Sequence, residues 1–304
     1  MRTNNLLGNG AWVSDGGLET DLIFNQGLDL PEFASFPLLD DEDGLALLTR
    51  YYCEYAAIAS AAGAGLLVET PTWRASRDWG AALGYDEAAL ARVNETAVEF
   101  ARRTAAAADV ELTRVSGVIG PRGDGYLAGQ DAPDEAATFH AAQVASFARA
   151  GVDLVHAMTM TSAAEGIGIV RAARDSGLPV AISFTVETDG TLPDGTTLAR
   201  TLDRLETEAP ADWYGVNCAH PAHVLPALDG GAWQDRLTFF RPNASTMSHV
   251  ELDEMEILDP GDLDLLTETA GTLRAKAPGL RVVGGCCGTD SRHVAALWGV
   301  AAPR

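Results

Sequence analysis

The chain has little positive charge. Among its 304 residues, 43 acidic side chains stand against 21 basic ones, which gives a formal net charge of −22. Nucleic acids and anionic membrane surfaces are bound through basic patches, so this balance argues against both as partners. Lysine is nearly absent, and the only one, Lys276, falls on a predicted helix before the last predicted strand. A Schiff-base enzyme needs a lysine in its active site, so that class is disfavoured.

Long apolar runs are also missing. No uncharged apolar span reaches the roughly 20 residues that a membrane-spanning helix needs. The first residues, Met1–Asn5, do not begin a secretory signal pattern. Four cysteines in a chain of this size do not predict a disulfide framework. Together these absences predict a reduced, cytoplasmic protein, and its 47% hydrophobic content is ample for a large core.

Short apolar runs alternate with Ala-rich amphipathic stretches, and no low-complexity linker divides the chain. Glycines at 63, 151 and 177 follow three of the predicted helices, as C-terminal stops often do. The predicted helices include Leu45–Ala62, Glu87–Ala108, Asp134–Ala150 and Ala163–Ser176. The eight predicted strands are Ala11–Asp15, Gly65–Glu69, Arg114–Ile119, Asp153–Met158, Val180–Thr185, Tyr214–Cys218, Leu237–Arg241 and Arg281–Gly284.

Eight strand–helix units predict an α/β protein, a (β/α)8 TIM barrel, as one domain over residues 1–304. A doubly wound sheet is the alternative. It is disfavoured because no Gly-x-Gly-x-x-Gly lies between a predicted strand and a helix.

Three of the four cysteines lie in glycine-rich or strand-end contexts. Cys286 and Cys287 are adjacent in the run GGCCGT, and Cys218 ends the run GVNC. Core packing does not need flanking glycines, whereas a backbone that wraps closely round a metal does. Three thiolates suit zinc and leave its fourth position free for a substrate. We therefore predict a zinc site at Cys218, Cys286 and Cys287, with the sulfur atoms within about 4 Å of one another.

Other side chains offer alternatives to this ligand set. His220 and His223 follow Cys218 closely and are rival zinc ligands, although a histidine beyond a strand end is more often a loop residue or an outer hydrogen-bond donor. Cys53 lies on a helical pattern and is predicted to be a small buried side chain. A structural or redox role for the adjacent cysteines is the remaining alternative.

Polar residues also stand at or just after the ends of the predicted strands. In a barrel, the carboxyl ends of the strands form one rim, and active sites lie there. Asp15 could be only a turn residue, and Asn217 could cap a strand rather than touch a ligand. The candidate substrate-binding residues are Asp15, Gly16, Gly17, Glu19, Glu69, Thr70, Met158, Ser183, Thr185 and Asn217.

These motifs, in this order, resemble those of the homocysteine S-methyltransferases. The resemblance is carried by DGGLET (15–20), Gly120-Pro121, PVAISFT (179–185), GTLPDGT (190–196), GVNC (215–218) and GGCCGT (284–289), and it spans nearly the whole chain. It implies a (β/α)8 barrel in which three cysteines hold zinc and the thiol of homocysteine completes the tetrahedron. The chain's length resembles that of compact members that use S-methylmethionine or S-adenosylmethionine, since the betaine users carry a C-terminal arm and cobalamin-dependent enzymes carry further modules.

The sequence departs from the family at the end of the fourth strand. There the family commonly has a Glu-Thr pair whose carboxylate holds the amino group of homocysteine, and this chain has Met158-Thr159. A buried ammonium without a charged partner is costly, on the order of several kcal/mol. We therefore expect either that Glu19 or Glu69 supplies the missing charge, or that the thiol is not homocysteine.

The predicted activity is a zinc-dependent transfer of a methyl group from a sulfonium donor to homocysteine, which gives methionine. Its partners would be a small thiol and a methyl donor, and the protein would be a monomer or a small homo-oligomer. The alternatives are the same chemistry on another thiol or in the demethylating direction, and a zinc-dependent barrel lyase or hydrolase. A zinc-stabilised binding protein is less favoured, because structural zinc sites usually have four protein ligands.

Overall fold

The protein is a closed barrel of eight parallel strands in a computed structural model that describes residues 6–303. Each strand pairs with the next in chain order, and the eighth pairs with the first. This topology confirms the predicted single-domain (β/α)8 barrel. Residues 1–5, on which the argument against a targeting signal depends, and residue 304 lie outside the described part.

The strands have nearly the predicted positions. The barrel consists of β1 (Trp12–Val13), β2 (Gly65–Glu69), β3 (Thr113–Ile119), β4 (Leu154–Met160), β5 (Val180–Phe184), β6 (Trp213–Asn217), β7 (Leu237–Arg241) and β8 (Val282–Val283). β1 and β8 are shorter than predicted, and β4 is longer. Its pairing with β5 is irregular between Ala157 and Met160, and Thr159 has a φ of 60°. Met158 and Thr159 therefore lie inside the strand, at its irregular end.

The helices surround the barrel. They are α1 (Leu18–Thr20), α2 (Glu42–Ala62), α3 (Arg77–Ala82), α4 (Glu87–Ala107), α5 (Pro133–Ala150), α6 (Ala163–Asp175), α7 (Leu198–Glu208), α8 (Pro221–Val224), α9 (His249–Asp253), α10 (Leu263–Lys276) and α11 (Ser291–Leu297). Short 3₁₀ or π segments occupy Asp21–Asn25, Pro31–Phe33, Phe36–Asp40, Leu225–Ala227 and Ala232–Arg236. Within residues 6–303, no helix is both long and apolar enough to cross a membrane.

Local sequence explains where the long helices begin and end. The carboxylate of Asp41 accepts a hydrogen bond of 2.7 Å from the Gly44 N–H and caps α2, and Asp86 caps α4 through the Ala89 N–H at the same distance. α2 ends at Gly63, whose φ of 60° suits a residue without a Cβ. These local contacts therefore determine where the two helices begin and where α2 stops.

The interior of the barrel changes character along the strands. The first inward positions are apolar, and together with Leu7 they form one buried cluster at the amino-terminal end: Trp12, Leu67, Leu154, Ala181, Trp213, Phe239 and Val282. Side chains two residues apart on a strand face the same way. The next inward positions are mostly polar: Ser14, Glu69, His156, Ser183, Gly215, Arg241 and Gly284. Two residues further on come Met158, Thr185, Asn217, Asn243 and Cys286. The apolar floor therefore supports first a charged layer and then the cysteine rim.

Candidate metal and substrate site

The three cysteines predicted as metal ligands meet at the carboxyl ends of β6 and β8. Their sulfur atoms all lie within 4.8 Å of one another. Cys218 is buried, Cys286 and Cys287 are half-buried, and none of them forms a disulfide. We call Cys218, Cys286 and Cys287 the cysteine triad.

Glycines let the backbone come close enough to form the triad. A Cβ on Gly17 would lie 2.3 Å from the Cys286 carbonyl oxygen, and one on Gly285 would lie 2.0 Å from the Thr289 hydroxyl. Neither position could hold a larger residue without moving the chain. These close contacts explain why glycine stands at position 17 in DGGLET and at position 285 in GGCCGT.

Cys218 has an unusual backbone conformation. Its φ is 55°, a region that non-glycine residues rarely occupy and that costs on the order of 1–3 kcal/mol. Its N–H donates to the Arg241 carbonyl at 2.9 Å, and its own carbonyl oxygen lies 2.9 Å from His249 Nε2. His249 in turn lies 3.0 Å from the Glu187 carboxylate. These contacts hold the Cys218 sulfur towards the other two cysteines.

Several side chains donate hydrogen bonds to the sulfur atoms. The Tyr126 hydroxyl lies 3.4 Å from Cys218 Sγ and 3.8 Å from Cys287 Sγ. Asn217 Nδ2 lies 3.6 Å from Cys286 Sγ, and Asn243 Nδ2 lies 3.8 Å from Cys218 Sγ. Donors of this kind stabilise thiolates. Tyr126 was not among the sequence candidates, and no motif pointed to it because it lies in a loop.

The triad has the electrostatic properties of a cation site. Hydrogen bonds from the thiols of Cys286 and Cys287, with a further one from Tyr126, hold the pKa of Cys218 well below its usual value. The same hydrogen bond to Cys218 raises the pKa of Cys286 to about 12. The hydrogen bonds among the three thiols therefore favour the thiolate of Cys218 over those of Cys286 and Cys287. A thiophilic divalent cation would stabilise all three thiolates at once, so the residues present fit a metal such as zinc.

Beneath the triad lies a group of buried, mutually paired side chains, which we call the ionic layer: Asp15, Glu69, His156, Ser183 and Arg241. The Arg241 guanidinium donates to Asp15 at 2.6 Å and also to Glu69, and it contacts the Gly16 carbonyl at 3.0 Å. His156 lies 2.7 Å from both Glu69 and Ser183. Arg241 was missed as a site residue, although an arginine at the end of the apolar strand LTFFR was a usable signal.

Pairing gives the two carboxylates of the ionic layer different pKa values. Burial raises the pKa of Asp15 to about 6, with Arg241 opposing the shift and the charge of Glu69 adding to it. Burial also opposes the ionisation of Glu69, but Arg241 and His156 outweigh it and lower the pKa of that carboxyl. Glu69 is only 2% exposed, and both of its oxygens are engaged. Its charge is therefore already neutralised from within the protein.

Glu19 differs from Glu69 in this respect. Its carboxylate accepts a hydrogen bond of 2.7 Å from the Ser35 hydroxyl, and within residues 6–303 it forms no ion pair. Burial raises its pKa, and the nearby charge of Cys286 adds to the shift. Of the two carboxylates proposed to replace the missing family glutamate, Glu19 is the one still available to a ligand.

A single cavity of about 380 Å³ connects these groups. It is lined by the cysteine triad, by the aromatic side chains Phe24, Phe33, Tyr52, Trp73 and Tyr126, and by apolar residues of the segment 252–258. The sequence candidates on its wall are Asp15, Gly16, Gly17, Glu19, Glu69, Thr70, Met158 and Asn217.

Two of the substrate candidates do not line this cavity. Ser183 is fully buried against His156, and the Thr185 hydroxyl lies 3.4 Å from the Cys218 carbonyl oxygen. Of the alternative metal ligands, His220 Nδ1 accepts from the Ala222 N–H and His223 Nε2 lies 3.0 Å from the Thr246 carbonyl oxygen. Neither histidine joins the triad in the described part of the chain.

The prediction for Cys53 was wrong, because this side chain is exposed. The buried side of α2 carries Leu48, Tyr51, Tyr52 and Tyr55, so Cys53 faces outward from the next position along the helix.

The profile of one protein family, homocysteine S-methyltransferase, matches residues 12–300. The chain belongs to the homocysteine S-methyltransferase family. It is therefore a methyltransferase enzyme of that family, as the resemblance implied. No curated protein sequence matches the chain at a significant level.

Solved structures agree with this assignment at the level of the fold. The metallated form of the homocysteine methyltransferase MmuM from Escherichia coli has a TM-score of 0.75 and 21% sequence identity, with 96% of each chain covered. Its oxidised form has a TM-score of 0.75 and 22% identity over 94% of each chain. Its apo form has a TM-score of 0.67 and 20% identity over 95% of each chain.

Proposed function

We propose that this protein transfers a methyl group from a sulfonium donor to the thiol of homocysteine and so makes methionine, with zinc bound by Cys218, Cys286 and Cys287. The observation that carries the proposal is the cysteine triad on the wall of the cavity in a chain of this family. When bound there, zinc lowers the pKa of the acceptor thiol, so that the sulfur is available as a nucleophile at neutral pH.

The protein's own residues hold and orient the acceptor. The Glu19 carboxylate lies on the cavity wall near Cys286 and can pair with the homocysteine ammonium, which replaces the glutamate that the family has at Met158. The ionic layer fixes Asp15 below it through Arg241. Asn217 spans the rim, because its side-chain carbonyl accepts from the Thr159 N–H at 2.7 Å while its amide reaches Cys286 Sγ.

The chemical step balances without an acid. The acceptor thiol first loses its proton to solvent. Its sulfur then forms a bond to the methyl carbon as the bond between that carbon and the donor sulfonium breaks. The electron pair of the broken bond stays on the departing sulfur, which leaves as a neutral thioether and needs no proton. Alignment of the two sulfur atoms and the methyl carbon is then the protein's main contribution.

The donor subsite favours a compact onium compound such as S-methylmethionine. The cavity volume of about 380 Å³ lies near the lower end of the range of small-molecule sites, which is about 300–1,000 Å³, and it must hold both substrates. Trp73, Phe33 and Tyr126 line the cavity, and aromatic faces attract onium cations. Three thiols at one site must stay reduced, which supports a cytoplasmic location.

A direct test pairs candidate thiols with methyl-labelled S-methylmethionine, S-adenosylmethionine and betaine, and detects the labelled product by mass spectrometry after metal analysis of the purified protein. We expect about one zinc per chain and labelled methionine from homocysteine with S-methylmethionine. A protein that binds zinc but methylates none of the thiols would contradict the proposed activity and leave the metal assignment in place.

One observation favours a second candidate. Met158 is 6% exposed and places a thioether on the cavity wall where the family has a carboxylate. A thiol without an ammonium at that position would be accepted by the same site. In the same panel, this candidate predicts weak turnover of homocysteine, faster turnover of such a thiol, and better use of homocysteine after Met158→Glu.

A further inference from the structure

We propose that Arg74 binds the carboxylate of the methyl donor and thereby selects onium donors that carry a carboxylate group. The inference rests on the proposed function, because it assigns one wall of the same cavity to the second substrate. It concerns a residue that the cysteine motifs do not include and that the transfer step described above does not use.

Arg74 is a cation without a counterion in a strongly acidic protein. Two guanidinium groups line the cavity, those of Arg74 and Arg241. Arg241 is paired with two carboxylates, whereas Arg74 has no carboxylate within 4.0 Å in the described residues. Its Nη1 donates to the Gly123 carbonyl at 3.2 Å, and its buried Nε has no hydrogen-bond partner.

Leaving this guanidinium unpaired has a physical cost. Burial lowers the pKa of Arg74, and the more distant charges of Asp124, Glu19 and Glu32 oppose that shift only in part. Arginine nevertheless stays protonated in proteins, so a partly buried positive charge faces the cavity. An anionic ligand group on the cavity side of the guanidinium would balance this charge.

The guanidinium is also held in place before any ligand arrives. Its central carbon lies 3.7 Å from the ring centroid of Trp79 and 4.4 Å from that of Trp73. Trp73 is fixed in turn, because its indole N–H donates to the Met158 carbonyl at 3.3 Å. A planar, stacked guanidinium that offers parallel N–H groups is suited to a carboxylate, which it can bind with two hydrogen bonds.

The position of Arg74 indicates the donor rather than the acceptor. Arg74 lies in the loop after β2 and contacts the loop after β3, and the charges that act on it are those of Asp124, Glu19, Glu32 and Tyr126. Glu19, by contrast, feels the charge of Cys286 directly. No cysteine of the triad is among the charges that act most on Arg74, whereas the acceptor thiol must reach the triad, so we place the carboxylate of the donor, and not that of the acceptor, at Arg74.

The groups between Arg74 and the triad suit a positively charged sulfur. Tyr126 touches Cys218 Sγ with its hydroxyl, and Trp73 carries Arg74 on its ring. Both line the cavity, and aromatic faces attract a sulfonium. A donor whose sulfonium lies against these rings and whose carboxylate reaches Arg74 would place its methyl group towards the acceptor sulfur.

The test compares two donors on four proteins. The donors are S-methylmethionine and the analogue in which a hydrogen replaces its carboxylate, which keeps the sulfonium and the ammonium. The proteins are the zinc-loaded wild type, Arg74→Gln, Arg74→Lys and the control Arg77→Gln. Arg77 makes an exposed ion pair with Asp78 outside the cavity, so its variant removes the same charge nearby. Initial rates give kcat and KM, and calorimetry without thiol gives binding without turnover.

We expect Arg74→Gln to weaken the binding of S-methylmethionine and to raise its KM by about tenfold to a hundredfold, as the loss of a charged hydrogen-bonded pair implies. The same variant should change the values for the analogue by less than about twofold. Arg74→Lys should restore part of the loss, and Arg77→Gln should match the wild type. A residue that only supported the tryptophan rings would weaken both donors equally.

Several outcomes would overturn the inference. Equal effects of Arg74→Gln on both donors would make Arg74 a packing residue. A raised KM for homocysteine with an unchanged KM for the donor would assign Arg74 to the acceptor carboxylate. Wild-type protein that binds the analogue as tightly as S-methylmethionine would also refute it. Calorimetry tests the inference even if no thiol is methylated, so its failure and that of the proposed function can be told apart.

Discussion

The ionic layer and the remaining charged residues of the cavity wall contain the same kinds of side chain, but the surroundings of those side chains differ. In the ionic layer, Arg241 neutralises Asp15 and Glu69, and His156 bonds both Glu69 and Ser183. On the cavity wall, Glu19 and Arg74 form no ion pair within the described residues, although both are at least partly buried.

This difference separates support from recognition. A buried polar group that has its partners inside the protein stabilises one arrangement of the strands and has no capacity left for a ligand. A group that keeps a free charge or a free N–H near a cavity is incomplete until something binds. Glu69 and Glu19 are the same type of residue, and only their neighbours give them different roles.

The largest expected effect concerns the cysteine triad, which belongs neither to the ionic layer nor to the unpaired charges of Glu19 and Arg74. Cys218→Ala should reduce bound zinc from about one per chain to nearly none and abolish methyl transfer, because loss of a ligand exceeds the 10- to 100-fold effect of losing an outer partner. Metal analysis by mass spectrometry and rate assays check this. Cys53→Ala is the control, since Cys53 is exposed and does not line the cavity, and it should keep both properties. Full zinc occupancy in the Cys218→Ala protein would refute the ligand assignment.

Arg241→Met tests whether the ionic layer is structural. It leaves Asp15 and Glu69 buried without their cation, so we expect a loss of about 3–5 kcal/mol in the free energy of unfolding, measured by denaturant titration. The exposed Arg50→Met is the matched control and should change stability by less than about 0.5 kcal/mol.

The destabilisation in Arg241→Met should depend on pH. Without the cation, the folded-state pKa values of Asp15 and Glu69 rise above the unfolded values of about 4. As pH rises from about 4, the unfolded chain loses these protons before the folded protein does, so the folded protein loses stability. The variant should therefore be nearer to wild type at pH 5 than at pH 8. A loss that is the same at both pH values would contradict the assignment of the two carboxylates as its partners.

Comparing Glu19→Gln with Glu69→Gln tests most directly whether one carboxylate binds a ligand while the other supports the fold. Glu19→Gln should raise the KM for homocysteine by about tenfold to a hundredfold, and change it much less for the same thiol without its amino group. Glu69→Gln should instead lower the free energy of unfolding, since it disturbs both Arg241 and His156.

The pH profile adds a second readout for Glu19. Burial raises the pKa of its carboxyl, and only the ionised form pairs with an ammonium. The KM for homocysteine in the wild type should therefore fall as pH rises through that raised pKa, and this dependence should be missing in Glu19→Gln. If Glu69→Gln alone raised the KM, the ammonium would have to lie in the ionic layer.

The smallest effect is expected from Tyr126→Phe, which removes one hydroxyl near two sulfur atoms. Loss of an outer hydrogen bond should speed the release of zinc to a chelator by about tenfold, at the lower end of the usual range. Tyr85→Phe, whose hydroxyl contacts Asp40 at an exposed site, is the comparison and should release zinc at the wild-type rate. Equal release rates in the two variants would show that the Tyr126 hydroxyl does not support the triad.

The barrel and the triad could be predicted from sequence because both depend on local patterns. Apolar runs between amphipathic stretches determine strands and helices. The glycines near Cys286 and Cys287 mark a close backbone approach, since a Cβ on Gly284 would lie 2.4 Å from the Asp15 carbonyl oxygen. The outward position of Cys53 could have been predicted as well, since the apolar side of α2 follows helical periodicity and Cys53 falls outside it.

The sequence by itself determined the order of the strands, the alternation that brings polar residues to the inner face, and the residue types available at the rim. Only the tertiary structure decided which charges meet. Arg241 lies 226 positions from Asp15 and 172 from Glu69, and closure of the barrel brings β7 near β1 and β2. Because Coulomb and hydrogen-bond energies depend on distances of a few ångströms, the same carboxylate is a supporting group where a guanidinium reaches it and an available ligand-binding group where none does.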